Sequence, residues 1–467
     1  MASSGGFLFG YDSGLMGAII TFASLQEDFR YGKGVATKTN SLVVGIQQAG
    51  AFVGCWAISL IAARYGRRQA IMVCSAVPLT HGLPAFYVGR VVSGLGLGGS
   101  SVIISVFSSE NAPKEIRGRL GSFYQLMYTF GIFTAYWVDY AVAKLMVPVT
   151  HCPAALLGIG MLTVTESVRW LVQQGRHEEA WESLTWIRAD DSEETRAELK
   201  EIQVSIAEEQ AARSGFQYRE LLERDNFKRL SIGVIVFLCQ QSVGATALAY
   251  YGPQFFKILV GAGPSNLLLT AIFGAVKIVA CGTFVLFFAE RIGRKSALIG
   301  GGVFMSICMI IITIVTKVRP PPGGGVVTSS GIATVALIYA NIMAYNFSWG
   351  PLPWPIVSEI FPARIKVGVA TGVGSQWLWN FMYSFSVSYM MAAMNEYIFL
   401  FFGVADIFVV LFTIFVLKET RGLSLEEVQD IYSSDPATTK RFSGASVPGS
   451  EVETASIDKA GEKAEPV

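Results

Sequence analysis

The sequence predicts an all-α membrane protein, with about twelve transmembrane helices set in two pseudo-symmetric six-helix halves. Two observations carry that prediction. The 467 residues are 52% hydrophobic and only 15% charged, and the apolar residues gather in runs near twenty long. A run of that length crosses a hydrocarbon core of ~30 Å at ~1.5 Å per residue. The second observation is internal repetition. RYGRR, Arg64 to Arg68, returns as ERIGRKS from Glu290, and SENAPKEIRG, Ser109 to Gly118, is answered by SEIFPARIKVG, Ser358 to Gly368. TESVRW, Thr165 to Trp170, is answered more weakly by KETRG, Lys418 to Gly422. Three landmarks in one order mark two related halves, an arrangement typical of secondary transporters.

The N-terminal transmembrane half occupies residues 4–164. Its first apolar segment, about Ser4 to Leu25, opens GGFLFGYDSG, whose glycines let a neighbouring helix approach closely. The second, about Ser41 to Ala62, ends at the RYGRR turn. After Gln69 only about eleven apolar residues precede THGLP, Thr80 to Pro84, so the third helix is short or incomplete. Eleven helical residues cover roughly 16 Å, about half of what a bilayer requires. Spans at about Tyr87–Ser109, Leu120–Val142 and Leu145–Val164 complete this half. Residues 165–229 are charged, and stretches such as EEAWESLTWI and AELKEIQVSI predict short amphipathic surface helices in a cytoplasmic loop. The C-terminal transmembrane half, 230–417, holds further spans at about Leu230–Tyr251, Leu267–Ala289, Ala297–Thr316, Ile332–Val357, Val367–Met391 and Ile398–Leu417. Residues 418–467 form a cytoplasmic tail whose polar composition predicts disorder after about residue 433.

Composition also excludes. A formal net charge of +1 gives no reason to expect nucleic acid. Cys55, Cys74, Cys152, Cys239, Cys281 and Cys308 occur singly and make neither a disulfide framework nor a metal spacing, so packing roles are expected. His81, His151 and His177 are scattered, and no phosphate-binding loop or catalytic constellation is present, so neither a metal site nor an enzyme is expected. The first apolar run lacks a basic leader, and no cleavable signal peptide is expected. Basic residues favour one set of alternate loops, with Arg64, Arg67, Arg68, Lys114, Arg117, Arg119, Arg291, Arg294, Lys295, Arg364 and Lys366. Positive residues stay inside, which puts these loops, both termini and the central segment in the cytoplasm.

Several polar groups inside the apolar runs point to chemistry. Asp12 is a carboxylate within a membrane helix, costly unless it functions or reaches water at a helix end. The seventh span reads CQQSVGATALAYYGP, in which Gln240, Gln241 and Thr246 supply amide and hydroxyl groups, and Tyr250 and Tyr251 supply aromatic rims. Gln125, and Gln376 beside Trp377 in SQWLWN, add amides from other spans. Amides beside aromatic faces suit a neutral, hydroxyl-rich ligand, while any single glutamine could equally serve interhelical bonding. WGPLPW, followed by Pro355, predicts a helix broken near Trp354. At the cytoplasmic ends, the carboxylates Glu110, Glu290 and Glu359 and the cations Arg64, Arg117, Arg291, Arg294 and Lys366 fall on adjacent helix termini, charges able to pair in one state and part in another. Lys277 lies inside the eighth span, as a snorkelling or a functional lysine.

GGFLFGYDSG, RYGRR, GRVVSGLGLG, SENAPKEIRG, QQSVGATALAYYGP, ERIGRK, WGPLPW, SEIFPARI and KETRGLSLEE together resemble the sugar porter family of the major facilitator superfamily, in particular fungal proton-coupled monosaccharide and quinate carriers. The resemblance runs from about Gly5 to Val428 and implies a major facilitator fold with a central sugar site and alternating access. It implies that Asp12 accepts the proton and Arg90 holds it charged. It places Gln125, Gln240, Gln241, Thr246, Trp354, Gln376 and Trp377 against the sugar, and Tyr250 and Tyr251 at the outer gate. The cytoplasmic gate would comprise Arg64, Glu110, Arg117, Glu290, Arg291, Arg294, Glu359 and Lys366. The implied activity is sugar:proton symport, driven by the proton gradient without a cofactor, by a monomer in the plasma membrane. Quinate or sugar-acid carriage, passive facilitation and nutrient sensing stay open as alternatives. The chain departs from the family pattern at several places. Thr246 stands where Asn is frequent, Ala63 where the first basic turn carries Asp, and Lys366 where Arg is typical. The first helix starts late, the third is short, and TESVRWL replaces PESPRWL.

Overall fold

The computed structural model of the chain describes residues 4–19, 36–65, 87–99, 101, 117–145, 168–188, 191–213, 218–260, 265–289, 291–320, 328–361, 367–421, 423, 427–428 and 431–432. The described residues are 89% helical, with no strand among them. In the N-half, α1 spans Ser4–Ile19, α2 Ala36–Tyr65, α3 residues 87–99 and α4 Arg117–Leu145. Three helices follow in the connecting segment: α5 (Val168–Gln173), α6 (His177–Arg188) and α7 (Glu193–Arg213). The C-half comprises α8 (Arg224–Ser242), α9 (Ala245–Val260), α10 (Ser265–Thr283), α11 (Arg294–Val318), α12 (Ser329–Asn346), α13 (Pro353–Ile360), α14 (Val367–Met394) and α15 (Tyr397–Phe415). A π-helical turn, Phe284–Phe288, ends the α10 span. The expected third span between residues 69 and 84, the expected sixth span beyond residue 145, residues 109–116 of the SENAPKEIRG turn, residues 362–366 and the tail from residue 433 lie outside the described residues, as does the side chain of Ala63.

The protein is inside-out in the sense that bilayers demand. On α15, Phe401, Val404, Phe408, Leu411 and Phe415 face outward, while Asp406 and Thr413 are buried on the inner face with Phe399 and Phe402. In water such exposed apolar surface would be an aggregation liability; in lipid it is the solvent-exposed face. The segment between the halves has a separate small core of Val168, Leu171, Val172, Ala180, Leu184 and Ile206. These residues recur at three- and four-residue spacing, which is why the stretch forms short helices that bury one stripe each.

Within the N-half, α1 packs along α4, and the contact is backbone to backbone. A Cβ added at Gly10 would collide with the carbonyl of Tyr128, and one added at Gly131 with the carbonyl of Phe7. Glycine is required on both faces because lipid supplies no hydrophobic drive between helices, so close packing must supply the attraction. The halves meet through α2 against α14, α4 against α10 and α1 against α9.

Two spans are divided, the seventh against the expectation of a single helix and the tenth in line with the expected break. The seventh runs as α8 and α9, parted at Gly244, whose φ of +76° suits glycine, with the ring of Phe402 filling the space where a side chain would stand. A second irregularity lies within α9 at Tyr251, φ −122° and ψ 24°. The tenth span breaks over residues 347–352, beside Trp354 as expected, and helix resumes at Pro353, whose fixed φ suits a first helical position.

Replacing Gly10 or Gly131 by Leu forces α1 and α4 apart, an overpacking that costs at least ~1–3 kcal/mol. Size-exclusion profiles of the fluorescently tagged, detergent-solubilised variants are expected to lose the monodisperse peak, whereas Gly300→Leu, at a position open on its side-chain face, keeps it.

Candidate functional site

Asp12 comes from α1 and Arg90 from α3. Arg90 Nη1 donates to both Asp12 carboxylate oxygens at 2.7 Å, and Arg90 Nε donates to the Val43 carbonyl of α2 at 3.1 Å. One guanidinium thus ties three helices together. Arg90 is buried while Asp12 is 27% exposed, so the carboxylate is the member of the pair that water can reach. A proton arriving there would cancel the attraction without disturbing the bond to Val43.

The amides converge from both halves. Gln125 lies on α4, Gln240 and Gln241 on α8, Gln376 on α14, and all are buried together with Trp354 and Trp377. Gln240 Nε2 donates to the carbonyls of Trp349 and Gly350, at 3.0 and 3.1 Å. Pro353, four residues past Trp349, has no N–H to offer that carbonyl, so the glutamine takes its place. Gln125 reaches the same spot from the N-half, since a Cβ on Gly350 would stand 3.3 Å from its Nε2. The oxygens of Gln240, Gln241 and Gln376, the nitrogen of Gln125 and the indole nitrogen of Trp354 are buried without hydrogen-bond partners. Each such group costs about 1–3 kcal/mol. A cluster of them is tolerable where a ligand with its own donors and acceptors completes the bonding.

Aromatic rings frame these amides. Trp354 packs against Tyr124 of α4 at 4.8 Å and Phe237 of α8 at 5.3 Å between centroids. Trp377 sits edge-on to Phe9 at 4.6 Å, and its Nε1 donates to Ser101 Oγ at 2.9 Å. The two indoles therefore differ: that of Trp377 is engaged across the halves, that of Trp354 is unengaged. Thr246 is buried in the first turn of α9, beside the Gly244 break. Sequence reading passed over Asn380, buried one helical turn beyond Gln376, with neither amide atom partnered. The signal was present in SQWLWN, whose Gln and Asn are four residues apart and so share a face. Phe9, Tyr124 and Tyr128 carried no such signal, because an aromatic in an apolar run reads as packing.

Tyr250 and Tyr251 are fully buried at the bend of α9. The Tyr250 hydroxyl accepts from Gln48 Nε2 of α2 at 2.8 Å and from Ser13 Oγ of α1 at 3.3 Å, while the Tyr251 hydroxyl donates to the Ser384 carbonyl of α14 at 2.7 Å. Tyr136 of α4 donates to the Ala249 carbonyl, the one that Pro253 leaves unbonded. At the far end of the C-half, Arg294 pairs with Glu359 and donates to Thr420 Oγ1 at 3.1 Å. Glu419 accepts the backbone N–H groups of Arg294 and Lys295 at 2.9 and 3.0 Å, an anion at a helix N-terminus. Arg291 is exposed. The side chains of Arg64, Glu110, Arg117, Glu290 and Lys366 lie outside the described residues.

Residues 1–432 match the family model described as sugar (and other) transporter. The chain belongs to the sugar porter family. This sugar porter is 31% identical over 469 residues to the quinate permease of Emericella nidulans, covering 93% of this chain and 88% of that protein. It is 32% identical over 471 residues to a probable quinate permease of Aspergillus niger, covering 93% and 87%. Its fold superposes on the proton:xylose symporter XylE bound to 6-bromo-6-deoxy-D-glucose with a TM-score of 0.74, at 26% identity, covering 92% of this chain and 98% of that one. The inward-open xylose transporter XylE from E. coli gives 0.72 at 24% identity, which shows the fold alone. The architecture is the major facilitator fold, and the protein is a multi-pass membrane transporter rather than an enzyme.

Removing Glu359 leaves Arg294 buried beside fewer partners, a loss of about 3 kcal/mol. Glu359→Ala is expected to lower the detergent-solubilised melting temperature, while Arg291→Ala, on an exposed side chain, leaves it within error.

Proposed function

We propose that this sugar porter carries a polyhydroxylated ring molecule of monosaccharide size by alternating access, with proton coupling at Asp12. The observation that carries the reading is the set of buried, unpartnered amide and indole atoms contributed by both halves, from Gln125, Gln240, Gln241, Trp354 and Gln376. Ring hydroxyls both donate and accept, so they answer amide oxygens and nitrogens alike. Phe9, Tyr124, Trp354 and Trp377 cover the ring's C–H faces. A quinate permease among the relatives and a xylose symporter among the structural neighbours support a hydroxylated ring substrate, whether neutral sugar or ring acid.

Tyr250 and Tyr251 close the outer face by bonding to α1, α2 and α14, and parting these bonds opens it. Arg294 and Glu359, with the basic turns, close the cytoplasmic face. A proton on Asp12 releases Arg90 and lets the N-half rock about the site; its loss inside restores the pair. The chain works as a monomer in the plasma membrane with both termini cytoplasmic, driven by the proton gradient without a cofactor.

Radiolabelled uptake by carrier-deficient cells tests this directly, and accumulation above the external concentration is expected. Asp12→Asn mimics the protonated carboxylate, so it is expected to abolish uphill accumulation while preserving counterflow exchange. An Asp12→Asn variant that still concentrates substrate with a proton current would place coupling elsewhere. Gln125→Ala removes one ligand hydrogen bond, worth about 0.5–1.5 kcal/mol, and is expected to raise KM about two- to tenfold with little change in kcat.

A further inference from the structure

Lys277 sits at the middle of α10 and is almost completely buried. Its Nζ stands 4.8 Å from the ring centroid of Tyr128 on α4 and 5.9 Å from that of Tyr345 on α12. Arg90 and Arg294, also buried, each face a carboxylate, but among the described residues Lys277 forms no ion pair. The buried carboxylates Asp139 and Asp406 do not reach it. Two ring faces alone do not offset the desolvation of an ammonium group in the membrane. Snorkelling does not relieve it either, because the amine lies mid-helix between rings rather than at a helix end.

Both rings lead to the amide cluster. Tyr128 packs on Phe9 at 4.6 Å, and Phe9 on Trp377 at 4.6 Å. Tyr345 flanks Gly350, where a Cβ would meet the tyrosine ring at 3.1 Å and Gln125 Nε2 at 3.3 Å. Lys277 therefore borders, at one ring's remove, the groups whose bonding is incomplete. Neutral hydroxyls would complete the amides and leave the ammonium uncompensated; a carboxylate on the same ligand would complete both.

We propose that Lys277 is the anion-recognising group of this site, and that the transported molecule is a polyhydroxylated monocarboxylate rather than a neutral sugar. The inference rests on the reading of the amide cluster as the substrate site, and it names the substrate class. The hydroxyls lie against the glutamines and the carboxylate against Lys277 Nζ. It also sets the electrical character of transport: a monoanion moving with one proton carries no net charge, whereas a neutral sugar with one proton carries one.

The test reconstitutes the full chain in liposomes and measures uptake of labelled quinate, galacturonate, glucose and xylose under a proton gradient, with and without an imposed potential. Tryptophan-fluorescence binding is followed in parallel, as is melting temperature. The unmutated protein is expected to favour an acid over the neutral sugars at least tenfold in kcat/KM, with acid uptake indifferent to the potential. Lys277→Asn, which keeps a polar group, is expected to lose acid binding at least tenfold and to keep or gain neutral-sugar binding; Lys277→Arg is expected to recover acid binding. Neutral sugar preferred by the unmutated protein, or acid binding unchanged in Lys277→Asn, overturns the role of Lys277 and leaves the transport reading standing. Failure of all four compounds to bind or move overturns the transport reading, and this inference with it. Should Lys277→Asn not fold, the unmutated protein decides: quinate or galacturonate, and not glucose, must raise its melting temperature, and equal shifts overturn the inference.

Discussion

A polar backbone group inside a bilayer has no water to turn to, and that constraint organises this protein. Proline within a membrane span orphans a carbonyl, and at two places here a side chain from another element meets it. Pro253 frees the Ala249 carbonyl and Tyr136 of the other half answers it. Pro353 frees the Trp349 carbonyl, and Gln240 answers that one, together with Gly350. The breaks that make the helices pliable are thus also the points at which other elements are tethered to them. The irregularity in α9 and its bond to α4 are therefore joined, so that neither can change without the other.

Charge obeys the same constraint more severely. Arg90 is acceptable in the N-half because Asp12 and the Val43 carbonyl receive it, and Arg294 because Glu359 and Thr420 do. These arrangements resemble each other in chemistry and differ in access. Asp12 is partly open, so the state of its pair can be altered by a proton; Glu359 is buried, so its pair responds only when helices move. Lys277, held between two rings, forms no ion pair among the described residues, and Asp139 and Asp406 are likewise buried with carboxylate oxygens unpartnered.

Some of the site was legible before any coordinates. An intramembrane Asp, a run of glutamines and a proline-rich WGPLPW are statements about cost, and costs can be read from residue type alone. What each glutamine does with its two ends could not be read. Gln240 spends its nitrogen on backbone repair and offers only its oxygen, whereas Gln125 keeps its nitrogen unpartnered. Trp354 and Trp377 looked equivalent in sequence, yet only one indole N–H is engaged. Asn380 shows the opposite limit, a site candidate whose helical spacing from Gln376 was visible and whose burial was not.

Sequence by itself determined the membrane setting, the two related halves, the helical content and the break in the tenth span. Those follow from residue length scales and from chemistry that is the same wherever the residue lies. It did not determine where the bends fall to the residue: helix resumes at Pro353, with the break before it, where Gln240 meets the buried carbonyls of Trp349 and Gly350. Nor did it determine that Asp12 and Arg90, 78 positions apart, share two hydrogen bonds, or that Lys277 lies between Tyr128 and Tyr345. Partners drawn from distant spans are chosen by how helices rotate and approach. Tertiary packing alone sets that rotation, and with it whether a buried charge is matched inside the chain or left for a ligand to match.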